Sequence, residues 1–371
     1  CCGKPEFSVE ARNRSCFIEA GKNGKRCSCF FDSPKEWETI MDLMEESAFV
    51  SGQPYKYIPL SVNTCDDLEE ERDWSREKEE KTILAGLLEG EKEALGCDRI
   101  DFLKHCRYIW NRSRILLMDE NGSRLTDKDH YGYVSIEAVA REKASTATGR
   151  AGSYGEQAKD VPFQKLGRMA AERGIQGLHA GSIVSGEYPV ILKNHVAAEI
   201  LEAFLPAFYG DRIQNGLSCL SGKEGEKIGE NGLNLTEEPG HLLGRCKRRM
   251  DDEGVPVSRK YLIHQGVWEQ SVYNQASALK DGKESTGNGF KTDSGQDISV
   301  GVTNVLLSTE PGKEKTLEEM MNSLEHGLLV SDVFGVFAGT DVVNGDFSLL
   351  VSGNVIRDGQ LGQAFCQAVI S

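Results

Sequence analysis

Apolar and polar positions along the chain follow two rhythms. In "FSVEARNRSCFIEA" and "RCSCFF", either side of the glycine-rich turn "GKNGK", apolar residues recur at every second position, the period of half-buried strands. "SPKEWETIMDLMEESA" then shifts to a helical period, with Trp37, Ile40, Met41 and Met44 on one stripe. Ser33 is placed to cap that helix, Pro34 to start it and Glu36 to complete a capping box. "DDLEEERDWSREKEEKTILAGLLEGEKEAL" predicts a second helix, with Leu84, Leu87, Leu88 and Leu95 inward and a mixed-charge solvated face. "SRILLMDENGSRL" predicts a hairpin around Asn121-Gly122. "STATGRAGSYGEQAKD", nearly free of large apolar residues, reads as a linker. The next helix runs from Val161, with Pro162 near its start and Phe163, Leu166, Met169 and Ala170 inward.

Beyond Gly186 the texture changes. "EYPVIL" is a short apolar strand, Asn194 is placed to cap the helix that follows, and Pro206 to end it. Glycine-bounded strand patterns then succeed one another in "GVWEQSVYN", "ISVGVTNVLLS", "LLVSDVFGVFAG", "DFSLLVSG" and "NVIRDG". Asn344-Gly345 and Asp358-Gly359 carry hairpin turn chemistry. One helix interrupts the strands, opening at Thr316 with Glu319 as its capping-box partner and closing at Gly327. These elements predict an α+β fold of two domains. Residues 1–180 form an N-terminal mixed α/β domain, and 181–371 a C-terminal domain that is largely antiparallel β-sheet with a few helices. No period marks a solenoid or propeller.

Composition narrows the function. With 371 residues, 39% hydrophobic and 27% charged, the chain can bury cores of its own. A net charge of −15 and the lack of a basic stripe with interleaved aromatics argue against direct nucleic-acid binding. No apolar run reaches the roughly 20 residues that span a bilayer, and the opening "CCGKPEFSVEARNR" is not a signal peptide. The eleven cysteines are scattered without a CxxC pair, which suits reduced, mostly buried thiols in a cytoplasmic protein rather than zinc ribbons or staples.

Three stretches carry candidate chemistry. In "KNHVAAEILEAF", His195, Glu199 and Glu202 share a helical stripe, while Val196, Ile200, Ala203 and Phe204 complete an apolar stripe opposite. A metallopeptidase helix needs two histidines one turn apart, so this pattern favours a solvated face over a metal site. In "RRMDDEGVPVSRK", the acids Asp251, Asp252 and Glu253 precede Gly254; they suit acid/base work or a turn bonded to its own amides, and the turn is favoured. "ESTGNGF" lacks the lysine of a P-loop, so close backbone approach, to a peptide strand or within a tight loop, is the better reading.

Taken in order, "SGEYPVIL", "LTEEP", "DDEGVPVSRKYLIHQGVWEQSVYN", "STGNG", "EEMMNSLEHGLLV" and "NGDFSLLVSGNVIRDG" resemble the TldD/PmbA family, also called modulators of DNA gyrase. The resemblance covers most of 181–359 and, more loosely, the first half. It implies a two-domain α+β fold and a cytoplasmic heterodimer in which TldD carries a zinc-type HExxxH helix and TldE (PmbA) lacks it. Such a pair degrades small unfolded peptides and trims the leader of a modified-peptide precursor. With His195 on the first motif histidine, Val196 takes the glutamate position and Ile200 that of the second histidine. The chain therefore resembles the TldE side, and no catalytic residue, metal ligand or cofactor carries over. It also stops soon after "GQLGQAFCQAVIS", where family members continue, and its N-terminal helical region is short.

The expected function is that of a non-catalytic subunit of a TldD-type peptidase, inactive alone. Its partners are an HExxxH-bearing subunit or a second copy of itself, and an extended peptide held through main-chain hydrogen bonds. The expected peptide contacts are Asp251, Asp252, Glu253 and Gly254 with Ser285, Thr286, Gly287 and Asn288. The alternative is a homodimeric binding or regulatory protein of the gyrase-modulator type. An autonomous hydrolase using Cys, Asp or Glu has only generic residues in its favour.

Overall fold

The computed structural model describes residues 3, 8–11, 13–22, 25–31, 37–47, 76–291 and 297–371. The readings of Ser33, Pro34 and Glu36 as helix start, the side chain of Trp37, the acidic run before Arg76, and Cys1 and Cys2 lie outside the described residues. Strands β1 (Cys16–Lys22) and β2 (Lys25–Phe31) pair antiparallel as their alternation predicts. Helix α1 (Trp37–Ser47) lays Ile40 and Met44 on Cys27 and Phe31, whereas Met41 stays accessible on its flank.

Helix α2 (Arg76–Leu95) and α3 (Phe163–Gln176) cover one face of a three-stranded antiparallel sheet. Its strands β3 (Ile100–Met118), β4 (Arg124–Glu142) and β5 (Ser145–Gly155) lie in that order. Val134, Ile136, Ala138 and Ala151 on the sheet meet Phe163, Leu166, Ala170 and Ala171 on α3. The β3–β4 turn falls at Asn121-Gly122 as expected, with Gly122 at φ +80° and the Asp119 carboxylate accepting from the amides of Asn121 and Ser123.

Two expectations fail here for one reason. Leu84, Leu88 and Leu95 of α2 are accessible; the buried positions are Gly86, Gly90, Glu91 and Ala94. A Cβ at Gly167 of α3 would collide with the Gly90 carbonyl, so small residues, not leucines, set this helix contact. Likewise "STATGRAGSYG" is no linker but β5, paired with β4 along its whole length. A Cβ at Gly149 would run into the α3 main chain at Ala170 and Gly174. A strand lying flush under a helix needs the same small residues that a flexible linker uses.

The C-terminal half holds two four-stranded sheets. In the first, β6 (Val190–Leu192) runs parallel beside β13 (His326–Phe334), followed by the antiparallel β16 (Leu349–Arg357) and β17 (Gln360–Ile370). Helix α4 (Asn194–Phe204) packs on it through Val196, Ile200 and Ala203. The second has the order β12-β7-β8-β9, from β7 (Asn234–Glu237), β8 (Lys260–His264), β9 (Val267–Trp268) and β12 (Val305–Ser308). Its core gathers Leu235, Leu262, Val272 and Val300 around Trp268. Strands β10 (Gly289–Lys291) and β11 (Ile298–Val300) form a separate hairpin, as do β14 (Thr340–Asp341) and β15 (Asp346–Phe347). Short helices α5 (Gly210–Gln214), α6 (Gln275–Lys280), α7 (Leu317–Asn322) and α8 (Val336–Gly339) fill the connections. The molecule is thus α+β, with antiparallel pairing dominant and β6–β13 parallel.

Local differences from the sequence reading have local causes. Asn194 is the first residue of α4, with Lys193 at the N-cap, and its Oδ1 accepts from His195 N at 2.9 Å. Pro206 lies within a 3-10 turn (Leu205–Phe208) that prolongs the helix. Helix α7 ends at Asn322, short of Gly327, which belongs to β13 and lets the Pro189 carbonyl come within 2.8 Å of where a Cβ would stand. The pattern "LLVSDVFGVFAG" breaks at Gly335, φ +70°, into β13 and α8. The turn at Asp358-Gly359, with φ of +49° and +75°, is the mirror-image type its sequence demands. At α7 the Thr316–Glu319 capping box is complete. Thr316→Ala is expected to cost about 1 kcal/mol in urea unfolding, and a cost near zero would show that this short helix adds nothing to the cooperative unit.

A seam joins the two halves. The buried Asp127 of β4 accepts from the amides of Arg249 (2.8 Å) and Met250 (3.3 Å), and Asp129 from that of Lys247 (3.0 Å). Arg245 lies 5.1 Å over the Tyr131 ring. The basic run 245–249 therefore clasps the β3–β4 hairpin. The described cysteines are free thiols, but only Cys27 is fully buried; Cys366 is exposed and the others are half-buried. Among the described residues no helix is long and apolar enough to cross a membrane.

Candidate functional site

All eight expected contact residues come together, although 31 or more positions separate the acidic turn from the "STGNG" loop. Each carboxylate of the turn holds a different piece of main chain. Asp251 accepts from the amides of Glu253 (3.0 Å), Val255 (2.9 Å) and Gly289 (2.8 Å). Asp252 accepts from Lys291 N at 2.7 Å and pairs with Arg248 at 2.9 Å. Glu253 accepts from Gln275 N, at the start of α6, at 2.7 Å. Gly254 (φ +80°) turns the chain back, and Gly287 (φ +73°) lets the Pro256 carbonyl sit where a side chain would be. Asp251, Gly254, Gly287 and Asn288 are buried and the Asp252 side chain is only 8% exposed against Arg248, while Glu253, Ser285 and Thr286 lie half-buried at the rim.

Of the two chemistries open to the acidic turn, this geometry suits the amide-bonded turn. Burial pushes the Asp251 carboxyl up to about 6, against the pull of the three amides, which favour its ionised form. Between the ordinary carboxyl value and about 6 the native state binds a proton that the unfolded chain releases. This group's contribution therefore falls as pH rises through that window. Unfolding titrations should show the difference between the parent and Asp251→Asn shrinking as pH rises from 4 to about 6. A pH-independent difference would remove the linkage. The variant also sets an NH2 against amide donors, at an expected cost of about 1–3 kcal/mol.

Beneath the loop lies a polar core that sequence reasoning did not single out. Glu237 of β7 is fully buried and faces Lys260, its direct partner on β8. Lys260 Nζ donates to Glu237 Oε2 (2.9 Å) and to Asn288 Oδ1 (3.0 Å). Asn288 Nδ2 donates back to Glu237 (2.9 Å) and to the Gly301 carbonyl (2.7 Å). Thr303 gives Glu237 Oε1 both its amide (2.6 Å) and its hydroxyl (2.9 Å), and Thr286 Oγ1 donates to Asn288 Oδ1 (2.7 Å). Every oxygen of the buried carboxylate is satisfied, so the network is a positioning device for the loop. The signal available beforehand was a glutamate inside "LTEEP" and a lysine in "RKYLIH"; their register was not readable.

The α4 stripe is only partly a solvated face. Glu199 and Glu202 are accessible, but His195 is half-buried and its Nε2 donates to the Ser331 carbonyl at 2.8 Å. That carbonyl lies at a bulge in β13, just past the point where β6 ends, so the imidazole takes the place of a missing strand neighbour. Burial, then the Arg173 charge, lowers the His195 pKa; burial, then the Asp332 and Glu202 charges, raises that of Glu199. A resident zinc does not fit here. Val196 is fully buried and Ile200 packs in the same core, neither carries a donor atom, and the Nε2 of His195 is committed to main chain.

Residues 185–371 match the family model for the PmbA/TldA metallopeptidase C-terminal domain, and 71–178 that for its central domain. The chain belongs to the PmbA/TldD family. A curated member, the metalloprotease PmbA homolog of Buchnera aphidicola subsp. Acyrthosiphon pisum, is 26% identical over 206 residues, 56% of this chain and 43% of that protein. The chain spans about half the length of the curated PmbA/TldD relatives it matches. Among solved structures, a Thermotoga maritima protein described as a proposed modulator of a DNA gyrase superposes with a TM-score of 0.83 at 23% identity, covering 99% of this chain and 83% of that one. TldE from Thermococcus kodakarensis gives 0.82 at 19% identity, covering 98% and 82%. At these identities the structural matches speak for a shared PmbA/TldD fold.

Proposed function

We propose that this chain is a TldE-like subunit without a peptidase centre of its own, which completes the peptide-binding cleft of an HExxxH-bearing TldD-type partner. One observation carries the reading: the positions where a catalytic relative would hold its glutamate and second histidine are Val196 and Ile200, both committed to the core beneath α4. A carboxylate or imidazole there would be buried among apolar groups without partners. The rim of Glu253, Ser285 and Thr286, on the base of Asp251, Asp252 and Asn288, is the proposed contact for an extended peptide.

Copurification from the native host is the test. Recovery of a relative with an intact HExxxH helix, and chelator-sensitive peptidase activity only in the pair, is the expected result. Recovery of the chain with itself alone, or chelator-sensitive activity in the isolated chain, would overturn the reading. Metal analysis of the isolated chain should find no stoichiometric zinc.

A further inference from the structure

The outer face of the β3-β4-β5 sheet, away from α2 and α3, carries a polar constellation that the proposed binding role does not use. Two cross-strand rows lie there: His105, Glu137 and Arg150, and beside them Arg107, Ser135 and Gly152. Their neighbours Val134, Ile136 and Ala138 point the other way, into the helix-covered core. His105 Nε2 lies 2.9 Å from Ser135 Oγ, and Nδ1 of the same ring lies 3.4 Å from Glu137 Oε2. Lys104 Nζ (3.1 Å) and Arg150 Nε (3.3 Å) hold the Glu137 carboxylate, whose side chain is only 5% exposed. His105 and Ser135 remain half-exposed, within reach of a ligand.

We propose that Ser135, His105 and Glu137 form a nucleophilic acyl-transfer site for small esters, independent of any metal. The order of contacts, hydroxyl to Nε2 and Nδ1 to a buried carboxylate, is the one that activates a serine. Burial lowers the His105 pKa below the ordinary value, against the pull of Glu137, so at neutral pH the ring is a free base. For Glu137, burial raises the pKa, but the Lys104 hydrogen bond and the Arg150 charge outweigh it and hold the carboxyl below its ordinary value, beside Nδ1.

In the first step Ser135 Oγ bonds to the ester carbonyl carbon while its proton passes to His105 Nε2 and the carbonyl π pair moves onto oxygen. Arg107, the cross-strand partner of Ser135 on β3, carries a charge that acts on His105 and would favour that oxyanion. Collapse breaks the bond to the alcohol oxygen, which leaves with the proton from His105. Water then repeats the sequence on the acyl-serine, releasing the carboxylic acid and restoring the hydroxyl. Tyr133 and Tyr154, rings 4.7 Å apart on the same face, offer an aromatic shelf for the acyl group.

The test treats the full chain with a fluorophosphonate probe and, separately, with 4-nitrophenyl acetate in the presence of chelator. Expected are a single adduct on Ser135 located by peptide mass mapping, its loss in Ser135→Ala, and a fall of about 100-fold or more in ester hydrolysis in Ser135→Ala and His105→Gln. The pH–rate profile should rise with a midpoint below the ordinary histidine range and shift in Glu137→Gln. Absence of any adduct, or an adduct and rate unchanged in Ser135→Ala, would overturn the proposal and leave the trio a cross-strand polar cluster. Ser135→Ala removes one half-exposed hydroxyl, and an unchanged circular dichroism melt confirms that it folds.

Discussion

Lys260→Met should lower stability by about 3–5 kcal/mol, the largest single loss expected for any substitution in the polar core. Among the described residues, the ammonium is the only positive charge bonded to the fully buried Glu237 carboxylate. Without it, the neutral donors of Asn288 and Thr303 are left to hold a buried anion. Urea unfolding should show an earlier midpoint with an unchanged slope. The double variant Glu237→Gln/Lys260→Met should recover much of the loss, because removing both charges removes the orphan. If Lys260→Met matches the parent within about 0.5 kcal/mol, Glu237 is not an ionised member of this network. Lys260→Met would also remove one of the bonds to Asn288 Oδ1, so the proposed peptide binding at the Ser285–Thr286 rim should weaken before global unfolding begins.

Gly353→Ala should cost about 3 kcal/mol, more than most single-methyl additions, because the new Cβ meets main chain. Gly353 lies where β16 shifts register against β17, and the Leu329 carbonyl of β13 occupies the space a side chain would need. A backbone carbonyl in a central strand cannot swing aside as a side-chain end can. The measurement is the thermal midpoint, with Gly122→Ala as the control: Gly122 has a positive φ but nothing within 4 Å of an added Cβ. If the two variants melt alike, conformational strain rather than collision sets the cost, and the close approach of β13 is not rigid.

How far the sequence could be read follows from the range of the forces involved. The turns at Asn121-Gly122 and Asp358-Gly359, the capping box at Thr316 and the apolar stripes of α3 and α4 were predictable because each rests on residues a few positions apart. The strand β5 and the inner face of α2 were misread because small residues are chosen by what lies opposite. Gly149 answers to α3, and Gly90 to Gly167, nearly eighty positions away. The acidic turn and the "STGNG" loop could be proposed as one site from their chemistry. That Asp251 would bridge them by accepting the Gly289 amide was decided by the fold.

By itself the sequence determined the α+β class, the residues able to turn, cap and fill the cores, and the lack of donor atoms at 196 and 200. Side-chain identity carries all of these without reference to distant neighbours. Only the tertiary structure decided which polar groups meet. Glu237 finds Lys260 through strand register, His195 finds the Ser331 carbonyl because β6 ends early, and His105 finds both Ser135 and Glu137 across one strand pair. Register is set by the packing of whole sheets, and a shift of one residue would turn each of these side chains to the opposite face.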